Sequence, residues 1–419
     1  MKISSSLFLI LFMTIARLDV VASSFSNMHL HTHMYPSGPT SRIHSILTNG
    51  SSIPAGGSVW PTAIYWTTVQ VGTPPVDFPV AIDSGSGDLD ISGKNCDGCP
   101  TTPPNKPYDH TQSKSAKAVF PYVFSNSYQT CDLKNPTAVC TISGKVYNDQ
   151  VTLAGVGPTT VKVGSIEKQT NNFDQFKIIG GVMGFTSGGD EDVFASLVAA
   201  GKCDNVWAIC MKEGSKSNGT ITIGGVDERL SVGGKVNYVP DVGFGFHSVQ
   251  VESITLTTSK SHIGKEKKQL MAPLSNDIPV NSAAILDTGT NILLAPTNVM
   301  NSLQSSMCSD SSLSQCDALW KNECVELTKE EVDAYPSLTM NLDGTKLEMS
   351  SKDYLLLGSP LATKSDQYCL GIRDGGSAGG SGFIIGDTTM RNYYLVFDLA
   401  KKQIGWGPVS GNCGNVEAS

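Results

Sequence analysis

From Trp60 onward, apolar residues come in short bursts, such as A-I-Y-W-T-T-V-Q-V at 63–71, T-I-T-I-G-G at 220–225 and L-V-F-D at 395–398. The bursts mix β-branched and aromatic residues. Gly, Pro, Asn and Asp interrupt them at short intervals, as expected of strands joined by tight turns. With 42 glycines and 21 prolines, the chain has enough punctuation for many turns. Helical spacing is scarce, and Val193–Ala200 and Pro296–Met307 are the two segments where it predicts a helix. The pattern predicts an all-β chain.

Two segments ahead of Trp60 differ. Lys2, the apolar run Leu7 to Ile15 and the small residues Val20-Val21-Ala22 have the layout of a signal peptide over 1–22. That run is too short to span a bilayer, and no second one is long enough, so no transmembrane anchor is expected. Residues 23–60 are poor in apolar positions and predict a leader or propeptide, removed or displaced on maturation. The histidines of H-L-H-T-H at 29–33 permit a metal-binding reading, but a flexible pro-segment accounts for them more simply.

Composition narrows the function. The 419 residues are 40% apolar and 16% charged, which fits a globular protein with a sizeable core. A net charge of −8 and the lack of any long Lys/Arg block exclude nucleic acid as the natural partner. Entry into the secretory route implies oxidation of the 11 cysteines, an odd number. Local pairing predicts Cys96–Cys99, Cys131–Cys140, Cys203–Cys210 and Cys308–Cys316, with Cys324–Cys369 closing a longer loop and Cys413 left over. Zinc at Cys96-x-x-Cys99 is the weaker alternative, because no second Cys/His pair at ligand spacing stands nearby. Asn49-Gly-Ser51 and Asn218-Gly-Thr220 are candidate glycosylation sequons.

The candidate chemistry lies in a repeated pattern. A-I-D-S-G-S at 81–86 returns as I-L-D-T-G-T at 285–290. Each copy is followed, roughly 100 residues downstream, by two apolar residues and a glycine: V-M-G at 182–184 and I-I-G at 384–386. Two lobes of one architecture, each supplying half of a site, would produce this echo. Two carboxyls at the seam cannot both ionise cheaply. Asp83 and Asp287 would share a proton, one activating a water and the other donating to a carbonyl oxygen. Gly85 and Gly289 allow close backbone approach. Ser84 and Thr288 can lock the loops together, while Ser86 and Thr290 can orient the outer carboxylate oxygens. Asp241-Val-Gly243 and Asp374-Gly-Gly376 lack both the apolar lead-in and the flanking hydroxyls, and read as turns.

At these residues the chain resembles the pepsin-like aspartic proteases, from about Tyr65 to Pro408. Further matches are V-G-T-P-P at 71–75, G-G-V-M-G-F at 180–185, G-T-I-T-I-G-G-V-D at 219–227, Y-P-S-L-T at 335–339, Y-C-L-G-I at 368–372 and I-I-G-D-T-T-M-R-N-Y-Y-L-V-F-D at 384–398. The resemblance implies a bilobal fold of two β-barrel-like lobes, placed here at 61–236 and 237–412, with a cleft between them. It also implies endopeptidase action on an extended protein or peptide substrate bound near Gly85, Gly289, Thr290 and a flap, with Asp83 and Asp287 catalytic. No metal or organic cofactor is implied, and a monomer is expected.

The sequence departs from the family in three places. The tryptophan usually seven residues after the first aspartate is Asp90 here, and Trp60 and Trp207 do not obviously replace it. The hydrogen bond that tryptophan offers the flap tyrosine is therefore missing or remade. The flap's usual Tyr-Gly pair is absent; Tyr128 is the candidate flap residue, with 143–151 as the returning strand. Finally, the leader lacks a lysine-rich block, since Arg42 and histidines are its only cations. These departures motivate a rival reading, a pepsin-like protein that binds peptides without cutting. A two-carboxylate glycosidase is disfavoured, because it would not require paired near-identical loops. A secreted or endolysosomal/vacuolar aspartic endopeptidase, made as a zymogen, is the expectation, and a pI of about 5.4 suits an acidic compartment.

Overall fold

The computed structural model describes residues 50–415, except 60–63, 101–105, 129–138, 171–178, 187–191, 213–218, 244, 259–274 and 360. The expected signal peptide, the leader histidines, Arg42, Trp60, Cys131 and both sequon asparagines lie outside the described residues.

The described chain is mostly β, in two main sheets and one small one. The first has 13 strands. It runs from Asn237–Pro240 through Gln403–Pro408, Tyr393–Asp398, Val206–Met211, Gly219–Ile223 and Ser51–Ser58. It continues through Ile64–Val71, Val76–Asp83, Gly181–Gly184, Leu89–Asp97, Val156–Gln169 and Cys140–Leu153 to Lys117–Tyr128. Ile64–Val71 also pairs with Cys140–Leu153, folding one end of the sheet back on itself. The second sheet has seven strands, among them Ser248–Thr257, Ser275–Leu286, Ile384–Ile385 and Leu293–Ala295. Ser51–Ser58, within the segment read as leader, pairs with Gly219–Ile223 and with the strand after it.

The echoing segments pair in space. Ile82 and Asp83 lie parallel to Met183 and Gly184, while Ile285 and Leu286 lie parallel to Ile384 and Ile385. Each aspartate strand is therefore flanked by its own downstream glycine strand. A Cβ on Gly184 would come within 2.3 Å of the Ser86 carbonyl oxygen, and one on Gly386 within 2.3 Å of the Thr290 carbonyl oxygen. Both contacts require a bare Cα. The apolar lead-ins are buried, with Ile82 and Leu286 both 0% exposed.

Both sequence-predicted helices are present, as Val193–Ala199 and Thr297–Cys308. Short helices at Cys316–Trp320, Lys329–Ala334, Ser351–Tyr354 and Asp387–Met390 add to them.

Three predicted disulfides form: Cys96–Cys99, Cys308–Cys316 and Cys324–Cys369. With its thiols bonded, Cys96-x-x-Cys99 is not a zinc site. Cys140 is disulfide-bonded, but its predicted pairing with Cys131 lies outside the described residues. Two expectations fail. Cys210 bonds Cys413 rather than Cys203, so Cys413 is not left over and Cys203 is the free thiol. Strand alternation gives the reason. Cys210 shares a face with Ala208 and packs with Tyr394 and Val396, whereas Cys203 packs against the main core on the other side.

Candidate active site

Asp83 ends its strand and Asp287 directly follows its own, and both chains then turn sharply. Thr290 N–H donates to the Asp287 carbonyl at 3.1 Å, and Ser86 N–H makes a longer contact with the Asp83 carbonyl at 3.5 Å. Each carboxyl is held in the same way. Asp83 Oδ1 accepts from Gly85 N–H at 2.8 Å and Oδ2 from Ser86 Oγ at 2.6 Å. Asp287 Oδ1 accepts from Gly289 N–H at 2.8 Å and Oδ2 from Thr290 Oγ1 at 2.6 Å.

The loops also hold each other. Ser84 N–H donates to Thr288 Oγ1 and Thr288 N–H to Ser84 Oγ, both at 3.0 Å. Ser84 Oγ donates to the Leu286 carbonyl at 2.8 Å, and Thr288 Oγ1 to the Ile82 carbonyl at 2.7 Å. Four buried bonds thus tie residues 202 to 206 apart in sequence, with approximate two-fold symmetry.

This grip brings the two carboxyls into mutual hydrogen-bond contact. A Cβ on Gly85 would meet Asp287 Oδ1 at 2.7 Å, and one on Gly289 would meet Asp83 Oδ1 at 2.6 Å. Burial raises the proton affinity of Asp83, and the Asp287 charge raises it further. The outer hydroxyl and the loop amide act in the opposite direction. One proton between two such carboxyls belongs to the pair. The arrangement can polarise a water with one oxygen while donating a proton from another.

Residues 64–409 match the eukaryotic aspartyl protease family. The chain belongs to that family. Its curated relatives are distant. Pepsin A of Suncus murinus is 23% identical over 352 residues, covering 83% of this chain and 81% of its own. Pepsin A of Sus scrofa is likewise 23% identical, over 355 residues with the same coverage. Aspartic proteinase 36 of Arabidopsis thaliana is 25% identical over 402 residues, covering 87% of this chain and 78% of its own.

Within this member of the family, Tyr128 ends the strand Lys117–Tyr128, which pairs antiparallel with Cys140–Leu153. Its phenol hydrogen-bonds Asp90 and Ser86. Asp90, which stands where the resemblance led a tryptophan to be expected, thus meets Tyr128 through a carboxyl. Trp207 is core, stacked on Phe397 at 4.1 Å between ring centroids. Asp241-Val-Gly243 and Asp374-Gly-Gly376 are turns, each with its Oδ1 accepting from the glycine N–H, at 3.0 and 2.9 Å.

Sequence reasoning gave no role to two residues beside the dyad. Asp387, in I-I-G-D-T-T, is 0% exposed, and neither carboxyl oxygen has a hydrogen-bond partner among the described residues. Burial holds its pKa well above the carboxylate range, and the charges of Asp287 and Asp83 add to that effect. Its carboxyl therefore holds a proton more tightly than an ordinary aspartate's. The other is His247, also fully buried. Its Nδ1 meets Asp241 Oδ2 at 2.9 Å and its Nε2 meets the Phe185 carbonyl at 3.1 Å. Phe185 N–H donates to the Asp83 carbonyl, and Leu286 N–H donates to the His247 carbonyl. His247 thereby touches the supports of both aspartates. No local motif marks it, and it lies one residue before the strand Ser248–Thr257.

Proposed function

We propose that the chain is an aspartic endopeptidase that hydrolyses peptide bonds of protein substrates. Asp83 and Asp287 activate a water by sharing one proton, and Ser84, Ser86, Thr288 and Thr290 hold them in place. The carrying observation is the two-fold set of bonds that fixes both carboxyls in contact. One oxygen of the pair takes a proton from the attacking water as the other protonates the scissile carbonyl. The resulting diol collapses when a proton reaches the leaving nitrogen. Substrate lies extended over the loops near Gly85, Gly289, Thr290 and Tyr128. The disulfides support passage through an oxidising secretory compartment, and no described helix is long and apolar enough to cross a membrane.

A denatured protein digested at pH 3 to 6, with and without a statine-type inhibitor, tests the reading. Inhibitable cleavage that disappears in Asp83→Asn is expected. Tight peptide binding with no product would replace this reading with the binding-only one, which the carboxyl in place of the usual tryptophan favours.

A further inference from the structure

We propose that Asp90 is a positioning residue that sets the direction of a hydrogen-bond chain running through Tyr128 and Ser86 to Asp83. The inference rests on the protease reading for its effect on turnover, but not for the existence of the chain.

Counting protons along the chain leads to it. Ser86 Oγ donates its only proton to Asp83 Oδ2 at 2.6 Å, so it can only accept from Tyr128. Tyr128 also has one proton, which can go to Ser86 or to Asp90. An ionised Asp90 cannot donate. It takes the Tyr128 proton in a charge-assisted bond, and no proton remains between Tyr128 and Ser86. A protonated Asp90 donates to Tyr128, Tyr128 to Ser86, and Ser86 to Asp83. Four groups are then polarised in one direction, toward the dyad. A tryptophan can only donate and would hold the chain in this second state at every pH. The carboxyl makes the state switchable.

The surroundings of Asp90 are consistent with this role. It is 2% exposed. Its own loop presents Asp88. Lys117–Tyr128 presents Tyr128 and Asn126, whose Nδ2 donates to Asp90 Oδ2 at 2.9 Å and to Asp88 Oδ2 at 2.8 Å. Val156–Gln169 presents Gly164, where a Cβ would fall 1.9 Å from Asp90 Oδ1. Gly181–Gly184 presents the apolar Val182 opposite it. Among the described residues, no cation is an electrostatic partner of Asp90. Burial, then the Asp88 charge, push Asp90 up to about 7, against the pull of Asn126 and Tyr128. The chain is therefore complete in acid and dismantled as the pH nears neutrality.

Asp90→Asn keeps an acceptor for Asn126 and gives Tyr128 a permanent donor. In the wild type, the high-pH limb of kcat/KM follows loss of the Asp90 proton and the consequent break in the chain. The limb should therefore move up in this variant by about one pH unit, mainly through kcat. Bare removal of a negative charge would ease loss of the shared proton and move the limb down. An unchanged or lowered limb overturns the proposal, as does a shift that persists in the Tyr128→Phe background. A second readout needs no activity. In ¹³C-carboxyl NMR of the aspartate-labelled protein, the resonance lost in Asp90→Asn should titrate well above the ordinary carboxylate range and move higher in Tyr128→Phe. Titration in the ordinary range, or indifference to Tyr128, overturns the chain. A protein that cuts nothing but passes the NMR test retains the chain and loses the protease reading.

Discussion

Ser84 and Thr288 satisfy each other. Each gives its amide to the other's hydroxyl and its hydroxyl to the carbonyl just before the other's aspartate. Both are 0% exposed, so water cannot replace a lost partner. Ser84→Ala strands the Thr288 N–H and the Leu286 carbonyl, and Thr288→Ala strands their counterparts. Each should cost about 2–4 kcal/mol, from two buried groups left unpaired. The singles break different bonds but each loosens the same loop–loop contact, so the double variant should cost less than the sum. Urea unfolding of the four proteins checks this. Additive costs would show that the grip is not one unit.

Stability should be greatest in mild acid. Asp90 and Asp192 are pushed up to about 7 by burial, and Asp83 and Asp387 are also raised. Such groups keep a proton in the folded state after the unfolded chain has released it. Their contribution is full below an unfolded pKa of about 4 and is lost as pH rises toward the folded value. Asp227 and Asp241 are lowered, by Arg229 and His247 among others, and their contribution is lost in stronger acid. Asp387→Asn removes one of the raised groups. The fall in stability between about pH 5 and pH 7 should become shallower by up to about 1.4 kcal/mol per pH unit. Thermal melts across that range test it, and an unchanged slope would mean that Asp387 is not held neutral.

The corrected disulfide has a consequence of its own. Cys210–Cys413 joins residues 203 apart and anchors the C-terminal turn beneath the strand Tyr393–Asp398. Cys413→Ser should cost about 2–5 kcal/mol. Cys203→Ser, at a half-buried free thiol, should cost under about 1 kcal/mol. Alkylation of the unreduced, unfolded protein followed by peptide mapping should label Cys203 and leave Cys210 and Cys413 unlabelled.

Some of this was legible in the sequence because it is local or repeated. The two aspartate loops and their glycine echoes follow from pattern alone, and the pairing of Asp83 with Gly184 and of Leu286 with Ile385 gives that echo its spatial meaning. T-K-E-E at 328–331 forms a capping box and starts a helix that apolar spacing did not reveal. What escaped depends on which face of a strand a residue occupies. Cys203 and Cys210 looked like partners by distance along the chain, but Cys203, in the turn before the strand, packs with a different cluster from Cys210. Asp90 looked like the loss of a tryptophan's hydrogen bond, yet Asn126 and Tyr128 reach it from a strand 36 to 38 residues away. Asp387 and His247 gain their roles from burial, which no local motif encodes.

His247 offers the last test, because it supports both halves of the site without touching a reacting atom. Its two ring nitrogens face a carboxylate and a carbonyl, both acceptors. Making both bonds at once requires a proton on each nitrogen. The ring is enclosed by Trp207 and Phe397, with centroids 6.1 and 4.6 Å away, so water cannot stand in for it. His247→Ala leaves Asp241 Oδ2 and the Phe185 carbonyl without this partner and opens a void beside the stacked Trp207 and Phe397 rings. A loss of about 3–5 kcal/mol is expected, as for a broken buried pair. His247→Gln can reach only one acceptor and should recover part of it. Phe185 and Leu286 transmit the change to both aspartates, so kcat should fall in His247→Gln even at temperatures where it is fully folded. Melting curves and kcat measured on the same preparations separate the two effects. A His247→Gln protein that turns over at the wild-type rate would confine His247 to stability.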